Sequence, residues 1–262
     1  MSDEIVHLDI KHGVATITLG SPANRNALSR QLTTELEAHV KAAIADPAAR
    51  VIVLTGSGTV FCSGADLKEQ RVANETQAAG QVGPGGLVQI LKDLWRSPKP
   101  VIGRINGAAR AGGLGLVAAC DLAIAVETAS FAVSEVRIGV IPAIISVLLV
   151  PKLGESNAME LFITGEPFDA KRAVEVGLLT ATASADRLDD AVGRYISMIL
   201  KGAPGAVAAA KQLVRDIPGM EMDAAFAAMA ARSAVFFGSE EALEGMKAFA
   251  EKRPPKWQEG LA

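Results

Sequence analysis

The stretch that decides the fold spans residues 105–115 and reads Ile105-Asn106-Gly107-Ala108-Ala109-Arg110-Ala111-Gly112-Gly113-Leu114-Gly115. It follows an apolar run at 101–105 that is typical of a buried strand, and it opens an apolar segment through Val117 that is typical of a helix. The glycines therefore lie at a strand-to-helix corner. The first N–H groups of a helix have no partner within it and favour negative charge, so this corner is a candidate anion site. The alternative is that glycine serves only close packing of the helix on the sheet.

This corner differs from the familiar phosphate-binding loops. It does not match G-x-G-x-x-G, and G-x-x-x-x-G-K-[ST] occurs nowhere in the 262 residues. The glycine spacing therefore does not indicate a nucleotide-phosphate site of either kind.

Strand-like patterns alternate with helical ones on both sides of this stretch. Strands are predicted at 6–10 and 15–19, which form a hairpin, and at 51–54, 101–105 and 122–126. The first helix is capped by Ser29 and stopped by Asp46-Pro47. The alternation predicts an α/β fold with crossover connections. Strand patterns stop beyond about residue 185, so we predict an α/β core over residues 1–200 and a helical lobe over 201–262.

One helix of the predicted lobe is apolar on more than one face. Residues 224–231 read Ala-Ala-Phe-Ala-Ala-Met-Ala-Ala. Such a helix has to be covered by the protein's own core or by another subunit. We favour the second interpretation, a homo-oligomer.

Composition excludes several classes of protein. With 26 basic and 29 acidic residues, the chain lacks the charge excess that nucleic-acid binding requires. Cys62 and Cys120 are too far apart in sequence for a C-x-x-C motif, and the three histidines all precede residue 40, so we expect no metal site. The polar start at 1–4 is unlike a secretory signal, and the apolar run at 140–150 is too short to cross a bilayer. We expect a cytoplasmic protein that binds no membrane.

A second strand-to-helix corner reads Phe61-Cys62-Ser63-Gly64-Ala65-Asp66-Leu67-Lys68-Glu69. Its small residues keep side chains away from the backbone, and Asp66 can cap the helix that follows. Backbone N–H groups at such a corner are free to bind an oxyanion. An ordinary capped turn is the alternative interpretation. Cys62 has no base nearby in sequence, so we favour a small buried thiol over a nucleophile.

A third segment places a carboxylate among apolar residues. It reads Phe131-Ala132-Val133-Ser134-Glu135-Val136-Arg137-Ile138-Gly139-Val140-Ile141-Pro142. Burying a carboxylate is costly unless it is paired or protonated, so a raised pKa is expected for Glu135. The alternative is a surface ion pair between Glu135 and Arg137. No histidine lies near a G-x-S-x-G-like turn, so a Ser-His-Asp triad is not indicated.

In this order and spacing, the three segments resemble the crotonase superfamily, the enoyl-CoA hydratase/isomerase proteins, over nearly the whole chain. Three further stretches resemble signatures of that superfamily. They are Asn24-Arg25-Asn26-Ala27-Leu28, the run Leu161-Phe162-Ile163-Thr164-Gly165 followed by Gly177-Leu178-Leu179, and residues 244–254.

The resemblance implies a spiral of ββα turns, followed by a helical lobe that builds homotrimers or dimers of trimers. It also implies an acyl-CoA thioester as the substrate, with no separate cofactor because CoA is part of that substrate. By the same resemblance, the thioester oxygen lies between the N–H groups of Ala65 and Gly112, and Glu135 is the catalytic acid/base. Charge that collects on this oxygen is stabilised by such preorganised donors.

The resemblance implies the other substrate- and CoA-binding residues as well. They are Asn24, Arg25, Ala27, Ser63, Gly64, Asp66, Leu67, Lys68, Gly113 and Pro142, with Phe249 and Lys252 of the C-terminal tail. The resemblance places the tail residues over CoA, from the same or a neighbouring subunit.

The sequence departs from the superfamily's pattern at a second catalytic position. A typical hydratase has a further glutamate in "GGG-x-E", where this chain has Gly115. The usual "PGxGGTQRL" reads Pro142-Ala143-Ile144-Ile145-Ser146-Val147-Leu148-Leu149, and Arg110 replaces a small or apolar residue.

These departures leave three readings of the function. The leading one is an enoyl-CoA hydratase-type lyase that acts on a 2-enoyl-CoA through Glu135 alone. The alternatives are an enoyl-CoA isomerase and an acyl-CoA-binding protein with little catalysis. An acyl-CoA hydrolase is disfavoured because Ala143 stands where such members carry an acid.

Overall fold

The computed structural model describes residues 4–75 and 85–260, so residues 1–3 of the polar start lie outside it. The strands are β1 (Val6–Lys11), β2 (Val14–Leu19), β3 (Val51–Gly56), β4 (Val60–Cys62), β5 (Val101–Ile105), β6 (Ala108–Arg110), β7 (Leu122–Val126), β8 (Ser130–Ala132), β9 (Phe168–Asp169) and β10 (Ala181–Ala183). The α-helices are α1 (Arg30–Ala45), α2 (Leu67–Glu75), α3 (Gly85–Arg96), α4 (Gly112–Ala119), α5 (Ala143–Leu153), α6 (Glu155–Thr164), α7 (Ala170–Glu175), α8 (Leu188–Leu200), α9 (Pro204–Asp216), α10 (Met222–Phe237) and α11 (Glu240–Ala250).

The larger sheet confirms the strand predictions. Its order is β1-β2-β3-β5-β7-β10, and only the β1–β2 hairpin is antiparallel. The hairpin turns at His12 and Gly13, which both have positive φ, the geometry of a type I′ turn. All six residues of β3 are buried, as expected for a central parallel strand covered on both faces.

The smaller sheet contains strands that the sequence patterns did not predict. Its order is β4-β6-β8-β9, with the first three strands parallel. Each of β4, β6 and β8 has only three residues, which is too short for an alternating pattern to appear. Each follows directly on a strand of the larger sheet. The chain therefore forms the expected ββα spiral, and the predicted α/β class is confirmed.

The turn between β5 and β6 fixes how the two sheets meet. The Asn106 side chain accepts a hydrogen bond from the Gly56 N–H (3.1 Å) and donates one to the Gly58 carbonyl (2.9 Å). A Cβ at Gly107 would lie 2.0 Å from the carbonyl oxygen of Thr59, so only glycine fits there. This close crossing brings the small sheet against the end of the large one.

Helices cover the sheets as their sequences predict. Ser29 caps α1 by accepting a hydrogen bond from the Leu32 N–H (3.2 Å), and the buried residues of α1 recur every three or four positions. Every residue of α4 is buried. No described helix has both the length and the apolar character that crossing a membrane would demand.

A buried ion cluster joins α9 to the core. Asp121 contacts Lys211 (2.7 Å) and Arg215 (2.5 Å), and the exposed fractions of the three side chains are 17%, 8% and 12%. Asp121 also accepts a hydrogen bond from the Val101 N–H (2.7 Å). One carboxylate therefore holds a strand and two cationic side chains of α9.

We expect Asp121→Asn to lower the free energy of unfolding by about 3 kcal/mol, because it leaves two cations in a poorly solvated place. Thermal or urea unfolding of the full chain would measure this. Asp216→Asn is the matched control, since Asp216 pairs with Arg232 at the surface and such pairs contribute about 0–1 kcal/mol. Equal losses in the two variants would contradict the prediction.

The helical lobe leaves large apolar side chains exposed in the single chain. Exposed fractions are 72% for Phe226, 73% for Val235 and 70% for Phe237 on α10. The predicted boundary between residues 200 and 201 falls between α8 and α9. Both the boundary and the covering of this face by another subunit stay predictions.

Candidate active site

Three predicted site segments lie at one edge of the small sheet. The register places Cys62 of β4 beside Ala109 of β6, and Ala109 beside Phe131 of β8. Ala65, Gly112 and Glu135 follow these residues by three or four positions in sequence. Neighbouring strands are about 4.8 Å apart, and the carboxyl ends of parallel strands meet at one edge. The sheet therefore gathers the three candidate catalytic positions.

The two glycine corners are in direct contact. Gly64 has φ +85°, and a Cβ there would lie 2.9 Å from both the Ala111 Cβ and the Arg110 carbonyl oxygen. A Cβ at Gly112 would lie 4.0 Å from the Gly64 Cα and 2.8 Å from a methyl of Leu28. A side chain at Gly64 would therefore push the two backbones apart, whereas one at Gly112 would collide with the Leu28 side chain.

The N–H groups of Ala65 and Gly112 are available to a ligand. Within residues 4–75 and 85–260, neither donates a hydrogen bond to a protein acceptor. Gly112 is the first residue of α4, so its N–H has no partner inside the helix. The preceding residue, Ala111, has φ 47° and ψ −120°, a strained conformation held by its N–H bond to the Ala132 carbonyl (3.0 Å). This geometry suits an oxyanion hole.

Glu135 has the burial that the sequence predicts. It opens a 3-10 helix over Glu135–Ile138, and its Oε2 is buried without a hydrogen-bond partner among the described residues. Burial raises the pKa of this carboxyl. Arg137 instead binds the Thr164 carbonyl (2.8 Å) and pairs with Glu166, so a Glu135–Arg137 surface pair is not formed. A raised pKa in an unpaired carboxyl is typical of a catalytic acid/base.

We expect Glu135→Gln to raise the melting temperature near pH 8, because it removes a charge that burial disfavours. The raised pKa means that the folded protein binds the Glu135 proton more tightly than the unfolded chain does. Stability is therefore lost as pH rises from the unfolded pKa, about 4.3, through the folded one. The variant's advantage should vanish below about pH 4, as thermal melts at both pH values would check. A lower melting temperature for the variant at pH 8 would contradict this.

Apolar side chains fill the space at position 115, where a typical hydratase has its second glutamate. Gly115 lies on α4, and a Cβ there would be 2.6 Å from the Cγ2 of Ile145 and 3.4 Å from a methyl of Leu91. Arg110, the other unusual residue, binds the Ser130 hydroxyl (2.7 Å) and carbonyl. It therefore joins β6 to β8.

Asp66 has the predicted capping role and a second one. Its Oδ1 accepts from the N–H groups of Lys68 (3.0 Å) and Glu69 (3.3 Å), while its Oδ2 accepts from the Asn24 side chain (2.8 Å). Burial acts to raise the pKa of Asp66, but these hydrogen bonds hold it below the ordinary value. The structure thus joins the Asn24 turn to the first corner.

The turn at 24–27 contains a structural residue that the sequence analysis did not include in the site. Asn26 is fully buried with φ 52°; it accepts a hydrogen bond from the Ser21 N–H and donates to the carbonyls of Ser57 and Val60. The Arg25 carbonyl accepts from the Ser63 N–H (3.1 Å). The sequence signal for this role was the asparagine in the 24–28 motif, because asparagine adopts positive φ more readily than most residues do.

The remaining predicted binding residues fall into two groups. The first group lies close to the corners or to the Glu135 segment. Its exposed members are Arg25, Leu67 and Lys68, Ser63 is half-buried, and Ala27, Gly113 and Pro142 are buried. Phe249 and Lys252 instead lie on α11 and just after it, and the Phe249 side chain is 88% exposed. Phe249 thus contacts little of its own chain, and the role of both tail residues over CoA stays a prediction.

Both thiols are buried, as predicted for Cys62. Burial raises the pKa of Cys62 and of Cys120 to about 12. A thiol with so high a pKa is a poor nucleophile, which agrees with the interpretation of Cys62 as a small buried thiol.

Comparison with known proteins identifies the family of this chain. The family model described as Enoyl-CoA hydratase/isomerase matches residues 9–260. A Legionella pneumophila structure named as an enoyl-CoA hydratase/isomerase (crotonase) superposes with a TM-score of 0.92 at 37% identity, covering 98% of this chain and 100% of that one. The carnitinyl-CoA dehydratase of Proteus mirabilis is 35% identical, and the (E)-benzylidenesuccinyl-CoA hydratase of Thauera aromatica is 33% identical. Each alignment spans 97% of this chain and 98% of the relative.

Family, fold and site geometry therefore lead to one conclusion: this chain belongs to the enoyl-CoA hydratase/isomerase family of the crotonase superfamily.

Proposed function

We propose that the protein is an enoyl-CoA hydratase-type lyase, which adds water to the C2=C3 bond of a 2-enoyl-CoA thioester or removes it again. The observation that carries this proposal is the position of the Ala65 and Gly112 N–H groups on the sheet edge that also leads to Glu135. Neither N–H group has an acceptor in the described part of the chain. The reaction needs no separate cofactor, because CoA belongs to the substrate.

The two N–H groups bind the thioester carbonyl oxygen. When a nucleophile attacks C3, an electron pair moves through C2 onto that oxygen, and the developing negative charge lies between the donors. Donors that are already oriented stabilise this charge without reorganisation, and they do so more strongly in the transition state than in the ground state.

Glu135 moves the proton. Its carboxylate takes a proton from water as the water oxygen bonds to C3, and then returns that proton to C2 as the enolate collapses. The OH and the H thus come from one water molecule, and the enzyme ends in its starting state. Burial raises the pKa of this carboxyl, so it holds a proton more firmly than an ordinary glutamate does, which suits a group that must both accept the proton and return it.

The names of two relatives support water addition over other chemistry. One is called a dehydratase and the other a hydratase, and both act on CoA esters by those names. The alignments run over nearly the full length of each relative.

An isomerase is the second candidate, and the surroundings of Gly115 favour it. Leu91 and Ile145 leave no room there for a second carboxylate that would hold water. Moving a double bond requires only that one base carry a proton between C4 and C2, which Glu135 can do alone.

Product analysis with trans-2-enoyl- and 3-enoyl-CoA esters of short and medium length separates the candidates. A product heavier by one water supports the lyase. Conversion of the 3-enoyl to the 2-enoyl ester without a mass change supports the isomerase. Binding of CoA esters without any turnover would contradict both, and would leave an acyl-CoA-binding protein.

We also propose a homotrimer or a dimer of trimers, built through the exposed face of α10. Phe226→Asp is expected to shift the assembly to the monomer, because it places a charge in an apolar interface. Analytical ultracentrifugation would measure this, with Lys11→Asp on the exposed hairpin as the control. A wild-type monomer, or equal masses for Phe226→Asp and wild type, would contradict the proposal.

A further inference from the structure

The space beside Gly115 is closed by one side chain in particular. Gly115 follows Gly112 by three residues on α4, so it lies on the same helix face, one turn deeper. A Cβ at this position would be 2.6 Å from the Cγ2 of Ile145, a distance that real Cβ atoms do not show. The next nearest atoms, the Ile145 Cβ and a Leu91 methyl, are both at 3.4 Å. Ile145 is therefore the main obstacle to any side chain at 115.

Ile145 belongs to the segment that follows the catalytic glutamate. It lies in the first turn of α5, ten residues after Glu135, and is 2% exposed. Helices α4 and α5 pack closely along this contact. Leu91, which completes the contact, is 4% exposed. The wall at this point is therefore buried, apolar and tightly packed.

The side chains at positions 115 and 145 have complementary sizes. Position 115 holds the smallest residue, and position 145 holds a β-branched one whose methyl reaches into the vacated space. Because packed interiors leave few voids, neither position can take a larger residue unless the other becomes smaller. The two residues are thus coupled.

We propose that Ile145 determines the reaction specificity of this site. Its side chain fills the space that an acidic side chain at 115 would need, and so limits water addition relative to proton transfer at the α-carbon. The inference rests on the proposed function, in which Glu135 and two N–H groups act on an enoyl-CoA. Water that has only one carboxylate to bind it is held less firmly for attack on C3.

Thermal melts test whether residues 115 and 145 are coupled by packing. Gly115→Ala should lower the melting temperature by about 5 °C, because its methyl meets Ile145. In an Ile145→Ala background the same substitution should be neutral or stabilising, since alanine is the better helix former. Equal effects of Gly115→Ala in the two backgrounds would overturn the coupling.

Hydration of a short trans-2-enoyl-CoA tests whether Ile145 limits water addition. The double variant Gly115→Glu/Ile145→Ala should hydrate at least about tenfold faster than Ile145→Ala, a modest gain for an added acid/base. Gly115→Gln/Ile145→Ala is the matched control and should show no gain, while Gly115→Glu alone should be poorly folded and no faster than wild type. A folded Glu double variant no faster than its Gln control would overturn the proposal. So would a gain in Gly115→Glu alone as large as in the double variant.

Exchange of the α-proton of a saturated acyl-CoA in D2O separates failure of this inference from failure of the proposed function. If wild type exchanges the proton and Glu135→Gln does not, but the double variant gains no hydration, only the role of Ile145 is wrong. If wild type exchanges nothing and Glu135→Gln behaves identically in every assay, the proposed function fails, and the role of Ile145 falls with it.

Discussion

Glu135→Gln is expected to reduce kcat for the enoyl-CoA reaction by between about 10² and 10⁴-fold, the usual contribution of a general acid/base. Glutamine keeps the size of the side chain but can neither accept nor release the proton. KM should change little, because in the proposed complex backbone N–H groups, and not this carboxyl, bind the thioester. Initial rates with a trans-2-enoyl-CoA measure the effect.

A matched control lies on the same side of the molecule. Glu166 pairs with Arg137, which lies in the same 3-10 helix as Glu135. The Glu166 side chain is 65% exposed. Glu166→Gln should therefore keep near-wild-type kcat. Similar losses in the two variants, or none in Glu135→Gln, would contradict the assigned role.

The pH dependence of the wild type follows from the same carboxyl. Water activation needs the ionised form, and burial raises the pKa of Glu135. Activity should therefore fall on acidification, and it should begin to fall at a higher pH than an ordinary carboxyl would give. The acidic limb of the kcat/KM profile reports this ionisation in the free enzyme.

Ala65→Pro is expected to lower kcat by about 10² to 10³-fold, the usual cost of removing one oxyanion-hole donor. Proline deletes the N–H group. The position suits the substitution because the Ala65 side chain is exposed, its N–H donates to no acceptor in the described part of the chain, and the preceding residue is Gly64.

The control for this substitution is Ala65→Ser, which changes the side chain and keeps the donor. It should stay within a few-fold of wild type. Melting temperatures of both variants should match the wild type to within a few degrees, which separates loss of the donor from loss of the fold. A serine variant as slow as the proline variant would show that the side chain at 65 matters, and the N–H group does not.

Much of the large sheet and its helices was predictable, because each element carries a local pattern. The unbroken apolar run of β3 and the Ser29 cap of α1 are examples that need no knowledge of the rest of the chain. The corner glycines were also visible, because each group follows a predicted strand, at 51–54 or 101–105, and precedes a helical pattern.

The remaining features depend on contacts between distant residues. Strands β4, β6 and β8 are three residues each and are stabilised by one another, so no local pattern marks them. The obstruction of Gly115 by Ile145 joins residues 30 positions apart, and a sequence reveals only that one is small and the other is large. The burial of the Glu135 Oε2 likewise results from packing.

Proton exchange at C2 of a saturated acyl-CoA in D2O tests the central claim most directly, because it requires the oxyanion hole and Glu135 but neither water addition nor double-bond migration. We predict that wild type incorporates deuterium at C2, and that Glu135→Gln binds the ester equally well but incorporates none. Binding without exchange by the wild type, or equal exchange by the two proteins, would contradict the account.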